Sequence, residues 1–320
     1  MTDPAPARPA PAKALLVTHT HWDREWYQPL EQTRFRLVDL FDRLLDILNR
    51  EADYHSFWLD GQTIPVEDYA EARPERMAEL AERLRQNRIQ IGPWYVLADE
   101  FLVSGEACLR NLLLGRRACR AVGQDHRIGY APDTFGHIDQ FPQILRGFGI
   151  DNAVFWRGYA LEQLDAAETL WTGRDGTTVR ALCLVSGYSN ARGLTADLDA
   201  SADRLDGAIE TLRRYCASGT LLLMNGIDHA LPLPGVADLT RKLELRYPGL
   251  SVRHGDLAEY LRLIADHHAG HKPLRGDLFH MPALDGCLSN RPVQKRLNRL
   301  LENRLAHYAE PLALLASRSG

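Results

Sequence analysis

One feature restricts the fold of this chain more than any other: short apolar runs alternate with longer amphipathic stretches from residue 14 to about residue 266. The runs at 14–18, 56–59, 89–96, 127–131, 152–156, 220–225 and 250–253 read as strands. Between them, 34–50 carries Phe35, Leu37, Leu40, Phe41, Leu44, Leu45 and Leu48 at helical spacing,. Further helices are predicted over 65–86, 106–121, 140–148, 202–215, 236–246 and a stretch reaching Asp266. Repeated strand–helix units of this length imply a parallel sheet, doubly wound or closed into a barrel. The segment 168–185, with Arg174-Asp175-Gly176 at its centre, reads as an inserted β-hairpin,.

The two ends differ from this rhythm. Residues 1–13 form a Pro/Ala tract with no secretory h-region behind it and are expected to be a disordered tail,. A single α/β domain is expected over 14–285. In 286–320, Leu297, Leu301, Leu305, Tyr308, Leu312 and Leu315 recur at steps of three and four, the seam of a helical bundle, with a kink expected at Pro311,. Nothing later in the sequence covers that seam, so the chain is expected to stop at the start of a truncated helical domain, with the C-terminal helix offering a route to oligomers.

Composition removes several function classes. A net charge of −4, without blocks of like charge, leaves no footprint for nucleic acid or an anionic membrane,. No apolar stretch approaches membrane-spanning length,. The five cysteines are odd in number and never spaced CxxC, which fits a reduced, cytoplasmic protein better than a disulfide framework or zinc knuckle,.

In parallel α/β folds, chemistry gathers at the carboxyl ends of the strands. Here those ends carry His19, His21 and Asp23; Asp60; Asp99 and Glu100; Asp133; Arg157; and Asp228 with His229. Any single carboxylate of this kind, Asp60 above all, is readily explained as the cap of the following helix; the whole set is not. In an extended segment His19, His21 and Asp23 share a face, and imidazole with carboxylate suits a cation such as zinc. Two ligands alone do not make a site.

The phrases HTHWDREW, LDGQTIPVEDY, IGPWYVLADEFLVSGEACLRNLLLG, GYAPDTFGHIDQFPQIL, VFWRG and LLLMNGIDH, in this order, resemble the catalytic domain of the family 38 glycoside hydrolases. These are the retaining α-mannosidases, and the likeness is to the bacterial type, which includes mannosylglycerate hydrolases. The resemblance implies an α/β fold with a parallel (β/α)7-type barrel-like catalytic domain and a Zn2+ cofactor. It implies His21, Asp23 and Asp133 as metal ligands, Asp133 as nucleophile, Asp228 as acid/base and an α-mannoside, oligosaccharide or mannosylglycerate-like, as substrate.

Retaining glycosidases place two carboxyl groups roughly 5–5.5 Å apart. Asp133 beside a cation and an arginine is expected to keep a low pKa, as a nucleophile requires. Trp26, Phe135, Arg157, Asp60 and Asp99 are the candidate substrate-binding residues; core packing for the aromatics and ion pairing for Arg157 are the plain alternatives. The family's fourth zinc ligand is a histidine in a His-Asp motif beyond this stretch. The remaining histidines do not match it, His267 and His268 read as a solvated helix end, and His19 is a possible substitute. The resemblance therefore implies weak zinc binding and little turnover for this chain alone. A metal-dependent deacetylase-like hydrolase and a non-catalytic carbohydrate-binding remnant are the competing readings.

Overall fold

The computed structural model describes residues 10–284 and 286–319. The tail expected over 1–13 therefore falls mostly outside the described residues, and Lys13 already belongs to the first strand. The elements run β1 (Lys13–Thr20), α1 (Leu30–Arg50), β2 (Phe57–Leu59), α2 (Ile64–Ala72), α3 (Met77–Arg85), β3 (Ile89–Gln90), α4 (Gly105–Ala121), β4 (Tyr130–Ala131), α5 (Phe141–Gly147) and β5 (Asn152–Phe155). They continue with β6 (Glu168–Thr172), β7 (Thr178–Cys183), α6 (Ala202–Tyr215), β8 (Thr220–Asn225), α7 (Val236–Arg246), β9 (Ser251–His254), α8 (Leu257–Leu263), β10 (Leu274–Arg275), α9 (Pro292–Arg304) and α10 (Glu310–Ser319).

The fold is mixed α/β with largely parallel pairing, as expected, and among the described residues its strands form two sheets and not the single closed sheet of a full barrel. One is ordered β3-β2-β1-β8, with β9 also paired to β1; the other is ordered β10-β6-β7-β5-β4. Among the described residues no ladder joins them. The strands that would have to bridge the gap, β3 and β4, are two residues long. Beyond Gln90 the chain runs through Pro93, which has no N–H for a ladder, and Trp94 donates instead to the Gly61 carbonyl,. The predicted strand at 89–96 is accordingly cut short.

Both sheets still close on one core. Leu15, Val17, Trp58, Tyr130, Phe155, Trp171, Leu182, Leu222 and Met224 belong to a single apolar cluster. The alternate residues Ala14, Leu16, Leu221 and Leu223 face a second cluster with Leu37, Leu40, Leu44 and Leu48 of α1 and Leu239 and Leu243 of α7. Period-two alternation in the strands and period-3.6 spacing in the helices thus sort the side chains between two layers. Phe35 falls off that stripe and points to solvent.

Three further differences from the sequence reading have local causes. The helix expected over 65–86 is two helices, because Pro74 disfavours helical backbone at Arg73, which adopts φ −134° and ψ 56°,. The hairpin is present as antiparallel β6 and β7, inside a sheet whose other pairings are parallel. His268, expected at a solvated helix end, is buried, with Nδ1 3.0 Å from the Thr169 carbonyl.

At the C-terminal end, a π-helical stretch, Leu305–Ala309, joins α9 to α10 immediately before Pro311. A proline in a helix clashes with the carbonyl four residues earlier, and the wider turn relieves it. Leu297, Leu301, Leu305, Tyr308, Leu312 and Leu315 are all exposed. No helix among the described residues is long and apolar enough to cross a membrane.

Candidate active site

The site begins where β1 and β8 end. The parallel pairing of these strands continues past their ends: His21 donates its N–H to the Ile227 carbonyl (3.2 Å) and accepts one from His229 (2.8 Å), which sets His21 opposite Asp228. Gly226 permits this closeness, since a Cβ there would lie 2.1 Å from the His19 carbonyl oxygen. Two chain segments about two hundred residues apart in sequence are thereby fixed side by side.

The His21 ring meets three carboxylates. Its Nδ1 lies 2.9 Å from Asp60 Oδ2, and its Nε2 lies 3.4 Å from Asp23 Oδ1 and 3.9 Å from Asp133 Oδ2. Burial works against the charged imidazole, yet Asp60 and Asp23 hold its pKa well above the ordinary value,. His19 lies on the same face, as alternation requires, and burial pushes it down to about 4.

Asp133 follows β4. Its Oδ1 accepts a hydrogen bond from Arg157 Nε at 2.8 Å and lies 2.6 Å from Nη2 of the same guanidinium in an ion pair. Arg157 is buried, donates also to the Ala283 carbonyl (2.9 Å), and stacks over Phe135 at 4.1 Å and Trp156 at 4.4 Å. Burial raises the Asp133 pKa to about 6, with Asp228 adding to the rise, although His21 and Arg157 pull it down,.

Asp228 is held from both sides. Tyr188 donates its phenol to Oδ1 at 2.7 Å, and Tyr27 donates to Oδ2 at 3.3 Å. Tyr188 is buried between the carboxylates, and burial, Asp133 and Asp228 all raise its pKa. Its ring centroid lies 5.3 Å from that of His21.

The remaining sequence candidates divide. Asp60 is fully buried behind His21, so it cannot face a sugar as the substrate-binding reading has it, nor does it cap α2, whose N-cap is Thr63. Asp99 is tied to the loop that bears Asp133 and not to the Asp133 or Asp228 carboxylates: its Oδ1 accepts the Phe135 N–H at 2.9 Å. Glu100 continues the same tether, with Oε1 2.8 Å from His137 Nδ1 and Oε2 accepting from Ile138 N at 3.0 Å. Trp26 is 60% exposed, which rules out core packing and leaves it at the rim beside Tyr27. Tyr27, Gln62, Trp156 and Tyr188 were not singled out from sequence. Tyr27 could have been, because it directly follows the HTHWDREW phrase.

The donors around His21 Nε2 suit a zinc ion in kind: one imidazole nitrogen and two carboxylates. With bonds of about 2.0–2.2 Å, tetrahedral ligand atoms stand roughly 3.3–3.6 Å apart. The 3.4 Å spacing to Asp23 meets this, and the 3.9 Å spacing to Asp133 needs a small contraction. Among the described residues no group of three or more His, Cys, Asp or Glu is already set to hold a metal.

The family model described as the glycosyl hydrolases family 38 N-terminal domain matches residues 11–280. A Halalkalibacterium halodurans protein provisionally named mannosylglycerate hydrolase is 34% identical over 94% of this chain and 36% of its own length. Alpha-mannosidase G of Dictyostelium discoideum is 24% identical over 94% of this chain and 27% of its own. The crystal structure of an alpha-mannosidase from Enterococcus faecalis V583 superposes with a TM-score of 0.79 at 31% identity, covering 83% of this chain and 31% of that one. The chain thus spans about a third of the length of such relatives. Every residue of the cluster lies inside the matched stretch except Ala283, and on these grounds the chain belongs to glycosyl hydrolase family 38.

Proposed function

We propose that this chain carries the catalytic site of a zinc-dependent, retaining α-mannosidase acting on an oligosaccharide or mannosylglycerate-type α-mannoside. The observation that carries this reading is the meeting of two separately held carboxylates at the end of β1. Asp133, anchored by Arg157, lies 3.9 Å from His21 Nε2, and Asp228, anchored by Tyr188 and Tyr27, stands in the segment bridged to the His21 backbone.

In this reading the Asp133 carboxylate, held in place by Arg157, attacks the anomeric carbon. The glycosidic C–O bond breaks as the Asp228 proton passes to the departing oxygen, leaving a mannosyl ester on Asp133 and a free alcohol. Asp228, now a carboxylate, takes a proton from water, whose oxygen attacks the same carbon and releases Asp133. Inversion twice over gives net retention. His21, Asp23 and Asp133 would hold the zinc, which supplies Lewis-acid attraction for sugar hydroxyls when bound. Trp26 at the rim and Phe135 beside Arg157 offer apolar faces to the sugar ring. The described cysteines are all free, which fits the reducing cytoplasm,.

Proton NMR during hydrolysis of an aryl α-mannoside tests the reading. The first product is expected to be α-mannose, chelation is expected to suppress it, and Asp133→Asn and Asp228→Asn are each expected to cost about 10²–10⁴ in rate. First-formed β-mannose, or activity indifferent to either substitution, would contradict it.

A further inference from the structure

We infer that Asp60 is a positioning residue that fixes which nitrogen of His21 faces the metal, an inference resting on the zinc site proposed above. Asp60 is 0% exposed and follows β2 directly, in the left-handed backbone region (φ 52°) that aspartate enters more readily than most non-glycine residues,. Its carboxylate faces the residues that follow β1. There Oδ2 accepts the Trp22 N–H at 2.9 Å and the Gln62 side-chain amide at 2.7 Å, and lies 2.9 Å from His21 Nδ1.

Gln62 stiffens the arrangement, since its amide also donates to the Trp22 carbonyl (2.9 Å) and its oxygen accepts the Leu97 N–H (2.9 Å). The carboxylate is thus held by three segments: the residues after β1, its own turn and the loop that carries Asp99. A buried carboxylate fixed against Nδ1 keeps a proton on that nitrogen and leaves Nε2, the atom facing Asp23 and Asp133, free to donate its lone pair,. Asp60 touches no substrate or metal in this scheme; it acts through His21.

The test is a zinc titration of the full chain against a chromophoric chelator, requiring no turnover. Asp60→Asn keeps the size and the Trp22 contact but removes the charge. It is expected to weaken zinc about 10–100-fold, with the metal-free melting temperature close to that of the unsubstituted chain. Added to His21→Ala, Asp60→Asn is expected to cause no further loss, because its effect runs through that ring. A general structural role would instead lower affinity in both backgrounds, and that result, or unchanged affinity in Asp60→Asn, would overturn the inference.

A second measurement is independent of whether the variant folds. In the zinc-loaded unsubstituted chain, ¹⁵N-histidine NMR is expected to show His21 protonated at Nδ1; protonation at Nε2 would overturn the inference. Failure of the unsubstituted chain to bind zinc would remove the metal reading itself, an outcome distinct from the other two.

Discussion

At the scale of the residue, the site is an arrangement of charges whose partners decide their roles. Tyr188 makes the shorter of the two hydrogen bonds to Asp228, 2.7 Å to Oδ1 against 3.3 Å from Tyr27 to Oδ2, and so orients the carboxyl group proposed to protonate the leaving group. Tyr188→Phe is therefore expected to slow cleavage of an alkyl mannoside by about tenfold or more, within the range of general acid catalysis. A dinitrophenyl mannoside, whose leaving group needs no proton, should be nearly unaffected, and equal losses on both substrates would refute this role. Zinc uptake should depend on pH with a definite sign. Asp133 sits at about 6 and His21 well above its ordinary value, so both hold protons in mild acid that a metal must displace,. Calorimetric titrations between pH 7.5 and 5.5 are expected to show affinity falling as pH drops, by about tenfold per unit for each proton displaced. A flat profile would contradict the assignment of these two groups as ligands.

At the scale of the element, catalytic geometry depends on two strand ends lying in close contact. Gly226→Ala would force a methyl group against the His19 carbonyl at 2.1 Å and its ring at 2.7 Å. Such overpacking costs about 1–3 kcal/mol, so the melting temperature should fall by several degrees and activity with it; an unchanged melt would show that the segments are not so tightly joined. Local pattern made much of this framework legible. The helix predicted over 202–215 and the strand over 220–225 coincide with α6 and β8, because period and breakers agree there. His21, Asp23, Asp133 and Asp228 could be read from motif phrases, and the structure gathers them. What could not be read was tertiary. Nothing local marks Tyr188, which stands in an irregular stretch after β7, and Asp60 looked like a helix cap until its carboxylate was seen against His21. The extended reading of 89–96 overran because alternation does not show that the ladder with β2 breaks after Gln90 and resumes only as the isolated Gln62–Trp94 bridge past Pro93.

At the scale of the whole molecule, two sheets share one core, while α9 and α10 stand outside it. No residue of α9 is buried; the Glu302 carboxylate ties α9 to the α/β body by accepting the Ser104 N–H, and the Arg110–Glu310 ion pair ties α10 to it. Exposed ion pairs contribute about 0–1 kcal/mol. A chain ending at residue 284 is therefore expected to unfold cooperatively, with a melting temperature within a few degrees of the 320-residue chain; a non-cooperative melt would show that the helices are part of the folding unit. The central claim concerns the other end of this architecture, where β1, β4 and β8 deliver their residues. Its most direct test is to incubate the chain with 5-fluoro-α-mannosyl fluoride and zinc and to map the product by peptide mass spectrometry. One mannosyl adduct on the peptide carrying Asp133, absent after chelation and in Asp133→Asn, is the predicted result. An adduct on another carboxylate, or none, would contradict the account.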